Sequence, residues 1–152
     1  MPDLRGPQGQ RDPLGRREPG GLIVPPIEEL QRPSLIYLEK LLRQGIFTSG
    51  LLLEVSETPT RRQYLADQIT ATTNDIDAWR DEALLLNLAS FGPAEKTLFI
   101  QAGIVGIADL AALSLAEFKA RIERGALELR VEPPADLRLE GWWEQAQTLE
   151  EE

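Results

Sequence analysis

The side chains in this sequence best suited to chemistry are carboxylates. The 152-residue chain has no His and no Cys, which excludes imidazole catalysis, thiol nucleophiles and zinc–thiolate sites. Its densest acidic group consists of Asp75, Asp77, Asp81 and Glu82. The Asp75-x-Asp77 spacing resembles the start of a calcium-binding loop, but the required Gly at the sixth position and Glu at the twelfth are missing.

We interpret this acidic group as helix capping, because acidic side chains in the first turn of a helix stabilise its dipole. Nothing in the pattern places two carboxylates in an apolar pocket, which glycoside hydrolysis requires. We therefore predict that the protein is not an enzyme, with no catalytic residue, no metal ligand and no cofactor.

The charge of the chain is acidic and unevenly distributed. Its formal net charge is -9 and its isoelectric point is about 4.6, which disfavours a grip of the whole chain on nucleic acid. Residues 132–152 hold seven acidic side chains against one Arg. No apolar run is long enough to span a membrane, and residues 1–10 lack the apolar core of a secretory signal. We therefore expect a cytoplasmic protein without a transmembrane segment.

Composition divides the chain into three regions. Residues 1–33 contain seven of the 11 Pro and five of the 12 Gly, so we predict a disordered arm. Within it, the apolar strip formed by Leu22, Ile23, Val24 and Ile27 is either a linker that packs on the domain or a docking peptide for a partner. Residues 34–124 carry dense helix signals, and residues 125–152 form an acidic extension that contains Trp142 and Trp143.

Capping residues and apolar spacing predict an all-α domain over residues 34–124. The expected helices cover residues 34–45, 49–55, 59–70, 75–88, 93–103, 107–113 and 114–124. Beyond Gly125, Leu127, Leu129 and Val131 alternate with charged residues, which is the pattern of a strand that ends before Pro133. Adjacent Trp side chains on a helix point about 100° apart. One of Trp142 and Trp143 is therefore expected to pack on the domain, and the other either docks there or contacts a partner.

An internal repeat aligns Gly45-Ile46 with Gly103-Ile104. Around this pair the apolar positions match, and each half consists of a helix, a Gly-Ile turn, a short helix and a further helix. The Gly is expected in the left-handed conformation that ends many helices, and the following Ile is expected to be buried. The other matched positions are Leu41 with Phe99, Leu42 with Ile100, Leu52 with Leu110, Val55 with Leu113 and Ser56 with Ser114.

These features resemble a domain-of-unknown-function family built from tandem helix-hairpin-helix units, common in cyanobacteria and similar to hairpin domains of DNA polymerases and ligases. The likeness covers about residues 34–124. It rests on the two Gly-Ile turns, the hairpin Phe91-Gly92-Pro93-Ala94, residues 58–66 and the helix containing Asp77-Ala78-Trp79, which leads into the second unit. The resemblance implies two tandem helix-hairpin-helix units flanked by a disordered N-terminal arm and a short C-terminal extension.

The hairpins depart from the family pattern at the positions that would approach a DNA phosphate. The family's Gly-x-Gly is replaced by Pro33-Ser34 in the first unit, and Pro has no N–H to donate. The second unit keeps Gly92 but has Ser90 at the other Gly position, and its nearest cation, Lys96, follows Glu95. We therefore disfavour nucleic-acid binding through residues 91–94 and Lys96, and keep it as the alternative.

The function we predict is a non-enzymatic protein-interaction or assembly module. Its partner would be another protein or a multi-subunit assembly, and family resemblance suggests an accessory subunit of a large cyanobacterial complex. The partner-facing segments would be Leu22 to Ile27 and Leu137 to Leu149.

Overall fold

The protein is described here by a computed structural model that covers residues 25–150, without the side chain of Glu150. This part of the chain is all-helical, with one isolated bridge between Pro26 and Thr48 and no strand. It comprises a short 3-10 helix at Ile27–Glu29 and eight α-helices: α1 Leu35–Arg43, α2 Ser49–Val55, α3 Pro59–Ile69, α4 Thr73–Leu86, α5 Pro93–Gln101, α6 Ile107–Ala111, α7 Leu115–Leu129 and α8 Asp136–Glu150. The predicted all-α class is confirmed.

Local capping explains where the helices begin. The Thr58 hydroxyl accepts from the Arg61 N–H at 3.1 Å, and Pro59 occupies the first helical position of α3, where its missing N–H costs nothing. At the start of α7, Ser114 and Glu117 cap each other's backbone N–H groups. These signals are local in sequence, which is why α1 to α6 lie close to the predicted positions.

The expected end of α7 before Gly125 and the strand at residues 127–131 are wrong, because α7 continues to Leu129. Phe118, Ile122 and Ala126 are buried at helical spacing and extend one packed face through Gly125. A Cβ atom at residue 125 would lie in van der Waals contact with Leu98 Cδ1, at 3.4 Å, which shows that α7 packs closely on α5 at this point. The alternating apolar and charged residues there lie on the surface of α7, beside its buried face.

The C-terminal region is a full helix, and it belongs to the core. Leu139, Trp142 and Ala146 of α8 are buried, at spacings that place them on one helix face. They join the same hydrophobic cluster as Phe99 and Phe118. The acidic extension predicted at 125–152 is therefore the end of α7 followed by α8.

The chain divides into two compact units between Arg80 and Asp81, within α4. Unit 1 contains α1, α2, α3 and the first part of α4. Unit 2 contains the end of α4 and α5 to α8. The internal repeat places α1, α2 and α3 in correspondence with α5, α6 and α7.

The two Gly turns adopt the same backbone geometry. Gly45 has φ +83° and Gly103 has φ +82°, the left-handed region that favours Gly. The next residue closes each turn, since the Ile46 N–H donates to the Leu41 carbonyl at 3.0 Å and the Ile104 N–H donates to the Phe99 carbonyl at 2.8 Å. Both Ile side chains are buried, as the sequence predicts.

The last residues of the predicted arm have a defined place in unit 1. The Ile27 N–H donates to the Phe47 carbonyl at 2.8 Å, and the Ile27 and Leu30 side chains are buried. The arm predicted over residues 1–33 is therefore too long, because Ile27 and Leu30 pack in the core of unit 1. Residues 1–24, including Leu22, Ile23 and Val24, lie outside the described residues.

Candidate interaction site

The acidic residues that most resembled a catalytic or metal-binding group form hydrogen bonds or ion pairs with other residues of the protein. The Asp75 carboxylate accepts from the Thr72 N–H at 3.0 Å, as expected for a cap of α4. Asp77 lies 3.7 Å from Arg62, and Asp81 accepts from the Ala108 N–H at 2.8 Å. Within residues 25–150, no group of three or more His, Cys, Asp or Glu residues could hold a metal ion. In that same range no helix is long and apolar enough to cross a membrane.

The predicted hairpin Phe91-Gly92-Pro93-Ala94 is fastened to α8 by aromatic packing. The Phe91 ring lies 4.8 Å from the Phe99 ring and 5.8 Å from the Trp142 ring, both edge to face. The Trp142 indole N–H donates to the Ala89 carbonyl at 2.8 Å. A buried Trp with a satisfied N–H is a stable anchor, so Trp142 holds the hairpin in place.

Trp143 anchors α8 at a second point. Its indole N–H donates to the Leu113 carbonyl at 2.8 Å, and Gln147 donates to the Ala111 carbonyl at 3.1 Å. Ala111 is the last residue of α6 and Leu113 lies two residues beyond it, at a helix end where carbonyls lack partners within the helix. In unit 1 the Arg80 guanidinium does the same for α2, donating to the Leu53 carbonyl at 2.9 Å. The fourth helix of each unit therefore caps the second.

Two of the described candidate partner-binding residues, Ile27 and Trp142, are buried in their own units. Trp143 is half-buried with its N–H bonded. Ile27 was proposed as a contact because it belongs to an apolar strip bounded by Pro, and Trp142 because two adjacent Trp side chains cannot both face one core. Here each side chain is packed in the core of its unit, so neither is presented to a partner. Leu137, at the start of α8, is 81% exposed.

The N-terminus of α5 is occupied by its own carboxylate. Glu95 accepts from the Gly92 N–H at 2.9 Å and lies 3.3 Å from Arg138 of α8. Burial alone would raise the pKa of the Glu95 carboxyl, but the N–H groups of Glu95 and Gly92 and the Arg138 guanidinium together lower it. The Gly92 N–H that a phosphate would need is thus bonded to a carboxylate, and Lys96 is half-buried.

Arg138 completes this corner of unit 2. It donates to the Ser90 carbonyl at 3.1 Å, and its guanidinium carbon lies 4.6 Å from the centre of the Trp142 ring. A cation over an indole face adds attraction to the ion pair. Arg138 therefore connects the hairpin, Glu95 and the aromatic core, a role that no sequence pattern indicates.

Next to this corner lies an open groove of about 690 Å³ between α5 and the loop that joins α7 to α8. This volume falls in the range of ligand and side-chain binding sites. Most of its lining is apolar, and of the lining residues only Ala94 was a candidate binding residue from the sequence. The lining residues are Ala94, Glu95, Thr97, Leu98, Leu129, Val131, Glu132, Pro133, Pro134, Ala135 and Arg138.

At the corresponding positions of unit 1, two side chains of α1 bond to the end of α3. Tyr37, three residues after the N-cap of α1, donates to the Thr70 carbonyl at 3.1 Å, and Lys40 donates to the Ile69 carbonyl at 3.0 Å. The corresponding residues of α5 are Glu95 and Leu98, which do not reach the end of α7 in this way. Two residues that line the groove, Glu95 and Leu98, thus occupy the positions at which unit 1 has side chains bonded to the end of α3.

Comparison with known proteins identifies a family for almost all of the described chain. No curated protein and no solved structure matches it. A family model described as a domain of unknown function, DUF4332, matches residues 36–149, which includes both units. The chain therefore belongs to the DUF4332 family.

Proposed function

We propose that the protein is a cytoplasmic, non-enzymatic interaction module whose binding site is the groove of unit 2. The observation that carries this proposal is that the groove is open and mostly apolar. Apolar concave surfaces with a few fixed polar groups are the usual form of binding sites. Glu95 and Arg138 supply those polar groups at one end.

The expected partner is another protein, as a subunit or accessory factor of a larger assembly. An apolar side chain of the partner would enter between Leu98, Leu129 and Val131, and the polar rim would set its orientation. The two units would then be helix-hairpin-helix units whose phosphate-contacting features have been lost. The self-capped Gly92 N–H and the half-buried Lys96 support a protein partner over nucleic acid.

The proposal is tested by a substitution that fills the groove with a large side chain and leaves the core unchanged. Thr97 is exposed on α5 and lines the groove, so Thr97→Trp should fill it while the fold is kept. Glu39 is exposed at the corresponding position of α1, and Glu39→Trp is the matched control in unit 1. Both variants first need circular dichroism spectra and unfolding midpoints close to the wild type.

Tagged wild-type protein and both variants would be used to purify partners from the native host, and each partner would then be titrated as a purified protein by calorimetry. We expect Thr97→Trp to weaken binding at least about tenfold and Glu39→Trp to leave it unchanged. Equal binding by Thr97→Trp and wild type would contradict the assignment of the groove. Deleting residues 132–152 would be a poor test, since it removes the buried face of α8.

A further inference from the structure

The first described residues of the chain are paired with the residues that lead into α2. The Pro25 carbonyl accepts from the Ser49 N–H at 3.0 Å, and the Ile27 N–H donates to the Phe47 carbonyl at 2.8 Å. Both bonds belong to one antiparallel bridge. Because paired chains of this kind run in opposite directions, the residues before Pro25 are directed past Ser49 toward the first turn of α2.

The internal repeat extends to this part of the chain. The spacing that aligns the two Gly-Ile turns also aligns Ile27 with Leu85, and both side chains are buried. The same spacing aligns Leu30 with Leu88, which are buried as well. The residues that precede α5 in unit 2 therefore indicate where the residues that precede α1 are placed in unit 1.

In unit 2 the preceding residues bond to the start of the second helix. Ile23 and Val24 correspond by this spacing to Asp81 and Glu82 of α4. The Asp81 carboxylate accepts from the Ala108 N–H at 2.8 Å, in the first turn of α6, and Glu82 is 1% exposed. Since α6 corresponds to α2, the repeat assigns Ile23 and Val24 a place beside the start of α2.

One side of α2 is apolar and partly open. Leu51 and Val55 are one helical turn apart and lie on the same side of this helix. Leu51 is half-buried and Val55 is 39% exposed. Val55 also lines a hollow of about 370 Å³ in unit 1, in which Ile46 and Leu65 are the buried lining residues. The apolar stripe formed by Leu51 and Val55 thus ends at an apolar hollow.

The hollow also offers hydrogen-bonding groups that suit a peptide backbone. Gln44, Tyr64 and Gln68 line it, and within residues 25–150 their side chains form no hydrogen bond. Primary amides both donate and accept, and an extended segment has N–H and C=O groups that need partners. Arg61, which also lines the hollow, lies 4.0 Å from Glu57. The site is therefore better suited to an uncharged peptide segment than to an anion.

We propose that residues 22–24, Leu-Ile-Val, dock on their own chain along this stripe, from the start of α2 to the hollow beside Val55. These residues lie outside the described part of the chain. Three extended residues span about 10 Å, which is also about the length of the seven-residue α2. No charged residue occurs in residues 20–27, so the segment brings no charge onto the stripe.

The covalent link to Pro25 favours this occupant over a second copy or another protein. Pro25 is held by Ser49, so the segment is present at a high effective concentration beside α2. The apolar strip is then a strap that completes unit 1, and it is not available to a partner. The groove of unit 2 has no part in this contact, so the two proposals can fail separately.

Disulfide trapping tests the position of the strap. The chain has no Cys, so two introduced Cys residues report their own proximity. In Leu22→Cys/Val55→Cys, mild oxidation should form an intramolecular disulfide at least about tenfold faster than in Leu22→Cys/Glu54→Cys. Glu54 is exposed on the same turn of α2 but points about 100° away from Val55. Equal rates in the two variants, or disulfides found only between two molecules, would overturn the proposal.

Hydrogen exchange of the full chain tests the effect of the strap on α2. Ile23→Asp places a carboxylate on the apolar stripe, so the amides of α2 should exchange at least about tenfold faster than in the wild type. Leu14→Asp is the matched control, since it adds the same charge at another apolar position before Pro25, and it should leave α2 unchanged. Circular dichroism would confirm equal helical content. Equal exchange of α2 in Ile23→Asp and the wild type would contradict the docking, and a difference that depends on protein concentration would contradict docking within one chain.

Discussion

Replacing Glu95 should weaken unit 2 because this one carboxylate joins the start of α5 to α8. Glu95 accepts from the Gly92 N–H at 2.9 Å and pairs with Arg138 at 3.3 Å, and Arg138 lies over the Trp142 ring. Loss of a helix cap costs about 1 kcal/mol. Loss of the ion pair adds about 0.5 kcal/mol, and release of Arg138 from the indole face adds about 0.5 kcal/mol. We expect Glu95→Ala to lower the free energy of unfolding by about 2 kcal/mol.

The assay is urea unfolding at neutral pH followed by Trp fluorescence. In a Trp79→Phe background the signal comes from Trp142 and Trp143, both in unit 2. Glu117→Ala is the matched control, because Glu117 also caps its own helix, at 2.9 Å from the Ser114 N–H. Within the described part of the chain its carboxylate has no bond to another helix. A loss for Glu95→Ala no larger than that for Glu117→Ala would refute a role for Arg138.

The pH dependence of the Glu95→Gln variant checks the electrostatic part of this prediction. The pKa of the Glu95 carboxyl is lowered from its usual value of 4.5, so its charge stabilises the fold fully above pH 4.5. That contribution is lost as the pH falls through the lowered folded-state pKa. The difference in unfolding free energy between wild type and Glu95→Gln should therefore be constant near pH 7 and shrink in acid. A difference that persists unchanged to about pH 2 would show that charge is not its cause.

Three further predictions concern other parts of the molecule. Gly45→Ala and Gly103→Ala should each cost about 1 kcal/mol in thermal or urea unfolding, since both residues have positive φ. A cost below about 0.3 kcal/mol would contradict the strain. Arg80→Met should lower the free energy of urea unfolding by about 2 kcal/mol, because two acceptors at the end of α2 lose their donor. A loss near zero would show that water replaces it. Finally, we expect no binding of the wild type to duplex or single-stranded DNA in mobility-shift titrations at low salt. Micromolar binding by the wild type that is lost in Lys96→Glu would support the nucleic-acid alternative.

The sequence predicted the helices whose start and end signals are local. Thr58-Pro59, the Ser114–Glu117 capping box and the Gly at 45 and 103 each act within about one turn, so no knowledge of the tertiary fold is needed. The helix α8 was not predicted, although Leu139, Trp142 and Ala146 already have helical spacing. Its start has no strong cap signal and follows two Pro, and one of its three buried positions is a small Ala.

The groove could not have been predicted in the same way, because it depends on which side chains reach across the fold. Nothing near Glu95 in the sequence indicates that its counterpart Tyr37 reaches the end of the third helix of unit 1. The buried positions of Trp142 and Ile27 have a similar cause, since burial depends on cores assembled from distant segments. Aligning the two halves in register would have shown the Tyr37-to-Glu95 difference, but only the structure shows its consequence.

The difference between Tyr37 and Glu95 changes two properties of the unit at once. A carboxylate at this position bonds the hairpin N–H at Gly92, which removes a donor that a phosphate would use and adds a negative charge beside it. The same residue lacks the ring and hydroxyl with which Tyr37 donates to the Thr70 carbonyl after α3, and it lines the groove beside α7. A unit that binds phosphate would be expected to keep its N–H groups free and its surroundings basic. Unit 2 has the opposite combination, a blocked hairpin next to an apolar groove, and this favours an apolar protein segment as its ligand.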